Sequence, residues 1–226
     1  MTTYKRVGIL SALPVESGII LDGITDKTEY IHAGMLYTAG RLEDHDVVLS
    51  NCGVSKVNAA MFTQIMIDRF HPDCIMFTGV AGSMNKEVKH TDLLIADELT
   101  FFDVNPKQLE NCFPNTVRFR TDDELNEMII SKAEDCHKGL IITGDRFIHS
   151  REDKDGLLKA FPEALAVEME GCAVAQVCQL NGIPLTVLRC ITDLADNDAE
   201  DSYKEFERTA AEKSAEIIIK AIKDLR

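Results

Sequence analysis

The chain has 226 residues, 45% of them apolar, which is ordinary for a single α/β domain with a sizeable core. Its formal net charge of −14 repels phosphate backbones and anionic lipid, so nucleic acid and membrane surfaces are not expected as partners. The seven cysteines are odd in number, lack C-x-x-C spacing and sit mostly in apolar runs. That pattern predicts reduced thiols in a cytoplasmic protein, not a disulfide framework or a zinc site. The N-terminal apolar run is too short for a signal peptide, and no segment approaches the length of a membrane span.

In chain order, Arg6 to Leu13 reads as a buried strand stopped by Pro14, and Val15 to Leu21 as the start of a helix. Thr28 to Leu42 and Asp46 to Cys52 read as strands separated by the polar turn Glu43, Asp44, His45. Ser55 to Phe70 has helical periodicity, with Val57, Ala60, Met61 and Ile65 on one face. Cys74 to Gly79 and Asp92 to Thr100 read as strands. Thr121 to Glu124 is a capping-box signature for a helix running to about Cys136. Leu140 to Gly144 and Leu165 to Glu168 are further strands. Glu170 to Leu180 is a helix closed by Asn181 and Gly182, Pro184 to Ile191 a strand, and Ser202 to Leu225 a long final helix. Strands alternate with helices and are mostly apolar throughout. The expected fold is therefore α/β: three αβα layers around a central mixed sheet, in one domain over residues 1–226.

In such folds ligands bind where strands end. The residues at those ends are Glu16, the run Gly79 to Gly82, the run Gly144 to Ile148, the pair Glu168 and Glu170 around Met169, and Thr192 with Asp193. Several are carboxylates in apolar surroundings, and a buried carboxylate is costly unless something pairs with it. Each has a plain explanation beside a chemical one. Glu168 and Glu170 suit a helix N-terminus, or one of them clamps a vicinal diol while Met169 offers a flat, polarizable surface. Asp193 caps a turn, or is a desolvated acid able to give up a proton. Glu16 is a first-turn helix acid, or a base for water. The glycine run permits close backbone approach, but it is neither a P-loop nor a G-x-G-x-x-G. The six histidines lack metal-ligand spacing, and only His149 falls near these residues. No metal and no cofactor are expected.

Taken in order, V-G-I-L-S-A-L-P-V-E, C-G-V-S-K-V-N-A-A, T-G-V-A-G, G-D-R-F-I, A-V-E-M-E-G-C-A-V-A and L-R-C-I-T-D-L-A-D resemble the nucleoside phosphorylase/hydrolase superfamily. More narrowly, they resemble the 5′-methylthioadenosine/S-adenosylhomocysteine nucleosidases. The resemblance implies hydrolysis of a nucleoside N-glycosidic bond, with Glu16 activating water and Asp193 protonating purine N7. It implies that Met169 and Glu170 hold the ribose, that Phe147 and the backbone of Ile148 grip adenine, and that Arg189 lies near the attacking water. Gly82 would contact the substrate through its backbone. A homodimer is also implied, with Phe101, Phe102 and Phe113 in the contact loop. The sequence departs from the family at Val80, where many members carry a hydroxyl, at Thr192, where serine is common, and in a shorter 101–114 loop. Val80 removes a hydroxyl near the ribose or water, Thr192 still offers a hydrogen bond, and the shorter loop bears on the 5′ substituent. A phosphorylase would need arginines for phosphate, yet the corresponding places hold Glu16 and the run Met76 to Thr78. A futalosine-type hydrolase and a non-catalytic nucleoside binder are the remaining alternatives; the binder would need neither Glu16 nor Asp193.

Overall fold

The computed structural model describes residues 4–225. Met1 to Thr3, part of the stretch read above for a signal peptide, and Arg226, the last residue of the domain expectation, lie outside the described residues.

Strand β1 (Arg6–Ser11) lies parallel to both β4 (His45–Asn51) and β5 (Cys74–Ser83). It is apolar because both its faces are covered. Helix α1 (Pro14–Gly23) opens on a proline, whose missing N–H costs nothing in a first turn. The expected single strand from Thr28 to Leu42 is instead a hairpin, β2 (Thr25–His32) and β3 (Met35–Leu42). It folds at Ala33 and Gly34, whose φ values of 50° and 81° are those of a tight hairpin turn. Only one of these residues is a glycine, so the turn carried little local signal.

Helix α2 (Lys56–Phe70) buries Ala59, Phe62, Thr63, Met66 and Ile67. The expected face holds in part: Ala60 and Ile65 pack against the core, but Val57 is 72% and Met61 40% exposed. The helix is apolar on more than one side, and periodicity alone did not select the side that packs. Strands β6 (Leu93–Phe101), β8 (Cys136–Thr143), β9 (Ala164–Glu168) and β10 (Leu185–Asp193) complete the main sheet, with the short β7 (Phe119–Arg120) beside β6. Because β10 pairs with both β5 and β6, the strands β5, β10, β6, β8 and β9 close on themselves, and β1, β4, β3 and β2 extend from that ring. Parallel and antiparallel pairs are mixed, as expected.

The capping-box expectation shifts by one residue. Helix α4 (Asp123–Ile130) is capped by Asp122, which accepts from the Leu125 N–H at 2.9 Å. The Thr121 hydroxyl donates instead to the Ala96 carbonyl at 2.6 Å, and the helix stops well short of Cys136, which begins β8. Helix α6 (Gly171–Asn181) ends at Gly182 with φ 68°, as anticipated. Helix α7 (Ala199–Lys223) begins before Ser202. Helices α3 (Pro106–Asn111) and α5 (Arg151–Ala160) were not anticipated; α5 buries only Leu157 and has no apolar stripe to read.

Helices α1, α4 and α7 cover one face of the sheet over Ile9, Met76, Leu188 and Ile218, and α2 and α6 cover the other over Phe62, Phe77, Val174 and Val187. The result is the expected three-layer αβα arrangement. Of the aromatics expected in the contact loop, Phe101 is buried edge-on to Phe119 and Phe102 packs partly against the core; only Phe113, at 77%, is well exposed. No described helix is long and apolar enough to cross a membrane.

Candidate active site

A cavity of about 380 Å³ opens at the C-terminal ends of β1, β5, β9 and β10 and is completed by the first turns of α7. Glu16, Val80, Gly82, Phe147, Glu168, Met169, Glu170, Thr192 and Asp193 line it together. Residues scattered over the chain thus converge on one space: the parallel strands β1, β5 and β10 deliver their ends to the same edge of the sheet, and β9, antiparallel to β5 at Gly82 and Val167, brings in Glu168 from the other direction.

Glu16 sits in the first turn of α1 and is buried. Its Oε2 accepts from the N–H groups of Ala12 (2.8 Å) and Leu13 (2.7 Å), and its Oε1 from Val80 N–H at 3.0 Å. The bond to Leu13 is the helix-capping half of the plain explanation. The bond to Val80 reaches across to β5, which a simple cap does not need. Burial pushes the carboxyl above its usual range, opposed by Arg189 and by these N–H groups. A Cβ at Gly79 would come within 2.6 Å of Glu16 Oε1 and 3.0 Å of an Arg189 nitrogen, so glycine there makes room for both.

Asp193 ends β10. The register between β10 and β5 shifts between Ile191 and Asp193, which turns the carboxyl into the cavity. Its Oδ1 accepts from Ala195 N–H at 2.9 Å, and its Oδ2 lies 2.9 Å from the Thr192 hydroxyl. Burial raises its pKa, while the Ala195 and Thr192 hydrogen bonds lower it. A side chain at Gly82 would place Cβ 2.7 Å from Asp193 Oδ1, so this glycine is required by the acid beside it.

The two acids around Met169 have different surroundings. Glu168 is fully engaged: it accepts from Thr143 Oγ1, from the N–H groups of Glu170 (3.1 Å) and Gly171 (2.7 Å), and from Arg189 at 2.8 Å. It holds the turn into α6. Glu170 accepts one bond, from Ser55 N–H at 2.8 Å, and its other oxygen is open to the cavity. Ser55 reaches it from a strained backbone with φ 95°. Burial, reinforced by Glu168, raises the Glu170 pKa to about 8.

Arg189 is not in the cavity wall. It is 2% exposed, lies over the Phe77 ring at 4.1 Å, and pairs with Glu168 from behind. Ile148 is also outside the lining, with its side chain in the core beside Met84 and Ile142. Phe147 is 39% exposed at the rim, roughly parallel to His149 and edge-on to Tyr203. Val80 is half-buried and gives the cavity an apolar wall on that side. Sequence reasoning missed Val54 and the α7 residues Glu200, Tyr203 and Lys204, which also line the cavity. An aromatic in the first turns of the helix after Asp193 was the one local hint. Among the described residues no group of three or more His, Cys, Asp or Glu is arranged to hold a metal.

Fold and site together define a nucleoside-processing member of the phosphorylase superfamily, whose family model matches residues 6–223. A 5′-methylthioadenosine/S-adenosylhomocysteine nucleosidase from Staphylococcus haemolyticus is 36% identical over 227 residues, covering 97% of this chain and 100% of the relative. The Neisseria meningitidis nucleosidase of that name, solved with methylthio-immucillin-A, superposes with a TM-score of 0.93 at 33% identity, over 98% of this chain and 100% of its own. A futalosine hydrolase structure from Helicobacter pylori gives 0.91 at 33% identity, with 98% of both chains covered. The chain belongs to the 5′-methylthioadenosine/S-adenosylhomocysteine nucleosidase family.

Proposed function

We propose that the protein hydrolyses the N-glycosidic bond of 5′-methylthioadenosine and S-adenosylhomocysteine, releasing adenine and 5-methylthioribose or S-ribosylhomocysteine. The observation that carries this is the pair of buried carboxyls, Glu16 and Asp193, facing one cavity with the open oxygen of Glu170 beside them. Breaking the C–N bond builds negative charge on the purine and positive charge on the sugar. Asp193, its pKa raised by burial, gives a proton to purine N7, and Thr192 and Ala195 stabilise the carboxylate that remains. Glu16 takes a proton from water as it attacks C1′. Inverting glycosidases use a similar division of labour between two carboxyls with water between them.

Glu170 accepts from the 2′- and 3′-hydroxyls, and the low-dielectric surroundings strengthen those bonds. Met169 packs on the ribose and Phe147 on adenine, while the Gly82 backbone admits the substrate next to Asp193. Ile148 contributes through its backbone. Arg189 holds Glu168 and, through its charge, favours the ionised form of Glu16. These steps route no chemistry through a metal or a nucleotide cofactor. A phosphorylase is disfavoured because no lining residue is an arginine and an incoming phosphate would face Glu16. A futalosine-type substrate is the second reading, favoured by the match to the Helicobacter pylori structure at the same 33% identity.

We read the chain as a single domain, on the described residues 4–225, and assign it to the cytoplasm as a homodimer. Exposed Val54, Val57 and Met61 recur at near-helical spacing from the cavity rim along α2, and such stripes mark interfaces. Adenine release is measured from each nucleoside with and without phosphate. Hydrolysis independent of phosphate supports the proposal. Phosphate-dependent formation of a ribose 1-phosphate, or cleavage of futalosine alone, overturns it.

A further inference from the structure

The mouth of the cavity carries charges that adenine and ribose do not need. The lining includes five carboxylates, Glu16, Glu168, Glu170, Asp193 and Glu200, and, among the described residues, a single cation, Lys204. Glu200 and Lys204 are exposed, whereas the other four acids are buried, so these two stand at the opening. They sit four residues apart on α7, on one helix face and about 6 Å apart along its axis. Glu followed by Lys at this spacing is the order that pairs well on a helix, yet no ion pair joins them. Lys204 Nζ lies instead 3.7 Å from Asp201, with both side chains largely in solvent. Between them, Tyr203 donates its hydroxyl to Glu207 at 2.7 Å and meets Phe147 edge-on, so its ring supplies an apolar wall.

We infer that Glu200 and Lys204 form a head-group site for 5′ substituents that end in an α-amino acid, Lys204 taking the carboxylate and Glu200 the ammonium. The inference rests on the nucleosidase reading above and adds what selects among its substrates. A carboxylate entering this cavity meets a surplus of acids, and among the described residues Lys204 is the lining side chain that offsets the repulsion. A methylthio group meets only the apolar rim and uses neither charge. A purely anionic substituent would engage Lys204 but face Glu200, so the pair favours a zwitterion over a carboxylate alone.

The test compares kcat/KM for S-adenosylhomocysteine and 5′-methylthioadenosine in wild type, Glu200→Gln, Lys204→Met and the double variant. Two single-charge probes separate the roles: 5′-(3-aminopropylthio)adenosine keeps only the ammonium, and 5′-(3-carboxypropylthio)adenosine only the carboxylate. Exposed charge pairs are worth little individually, so the homocysteine-to-methylthio ratio should fall roughly two- to fivefold per single change and about tenfold in the double. Lys204→Met should act on the carboxylate probe and Glu200→Gln on the ammonium probe, both more strongly at low salt. A ratio unmoved in the double variant, or equal effects on both probes, overturns the head-group site. If wild type cleaves neither natural nucleoside, it is the nucleosidase reading that fails instead.

Discussion

Replacing Asp193 by asparagine keeps the shape of the side chain and removes its proton. The amide oxygen can still accept from Ala195 N–H, now 2.9 Å from Oδ1, and the amide N–H can donate to the Thr192 hydroxyl, 2.9 Å from Oδ2. Thr192 retains the Ala81 carbonyl at 3.4 Å as its acceptor, so no buried polar group is stranded. The fold should survive, and the sign of the stability change follows from linkage. Burial raises the folded-state pKa of Asp193, so its stabilising contribution is full below the unfolded carboxyl value and is lost as pH rises through the folded value. Asp193→Asn should therefore match wild type in acid and equal or exceed its melting temperature at pH 8. Turnover is a different matter. A general acid contributes roughly 100- to 10,000-fold, or about 2.7–5.4 kcal/mol of barrier. Adenine release followed by absorbance should fall by that factor, while binding of an unreactive nucleoside analogue is retained. Turnover near the wild-type rate would refute the argument, leaving Asp193 as a turn cap.

Glu16→Gln should lose turnover on a similar scale. It should also cost roughly 1–3 kcal/mol in denaturant unfolding, because an amide N–H must then face one of the N–H groups of Ala12, Leu13 or Val80. Gly82→Ala should nearly abolish activity, since the added Cβ would lie 2.7 Å from Asp193 Oδ1; a crystal structure with Asp193 unmoved would contradict this. Glu170 binds the diol best as a carboxylate, so analogue affinity in the Asp193→Asn background should rise with pH through about 8; a flat titration would count against Glu170 as the clamp. Met61→Lys, on the exposed stripe of α2, should shift the mass measured by light scattering from dimer toward monomer.

The sequence by itself determined what local chemistry can express. Apolar runs of strand length marked β1, β5 and β10, an Asn-Gly pair marked the end of α6, and carboxylates at strand ends marked Glu16, Glu170 and Asp193 as costly residues needing a reason. The motifs in order then pointed to the family. Tertiary structure decided everything that depends on which surfaces meet. It chose Phe62 and Met66 over Val57 and Met61 as the packed face of α2, because a helix apolar on two sides does not state which one finds a partner. Through Arg189 and three further donors it distinguished Glu168, saturated and structural, from Glu170, left with one oxygen open; two residues apart in sequence, they differ in their long-range partners, Arg189 and Thr143 against Ser55, and in the turn N–H groups that the folded backbone aims at Glu168. And it carried Tyr203 and Lys204 from a helix that reads as ordinary surface to the rim of the cavity, because α7 starts just after β10 ends and the closed sheet gathers β1, β5 and β9 around that point.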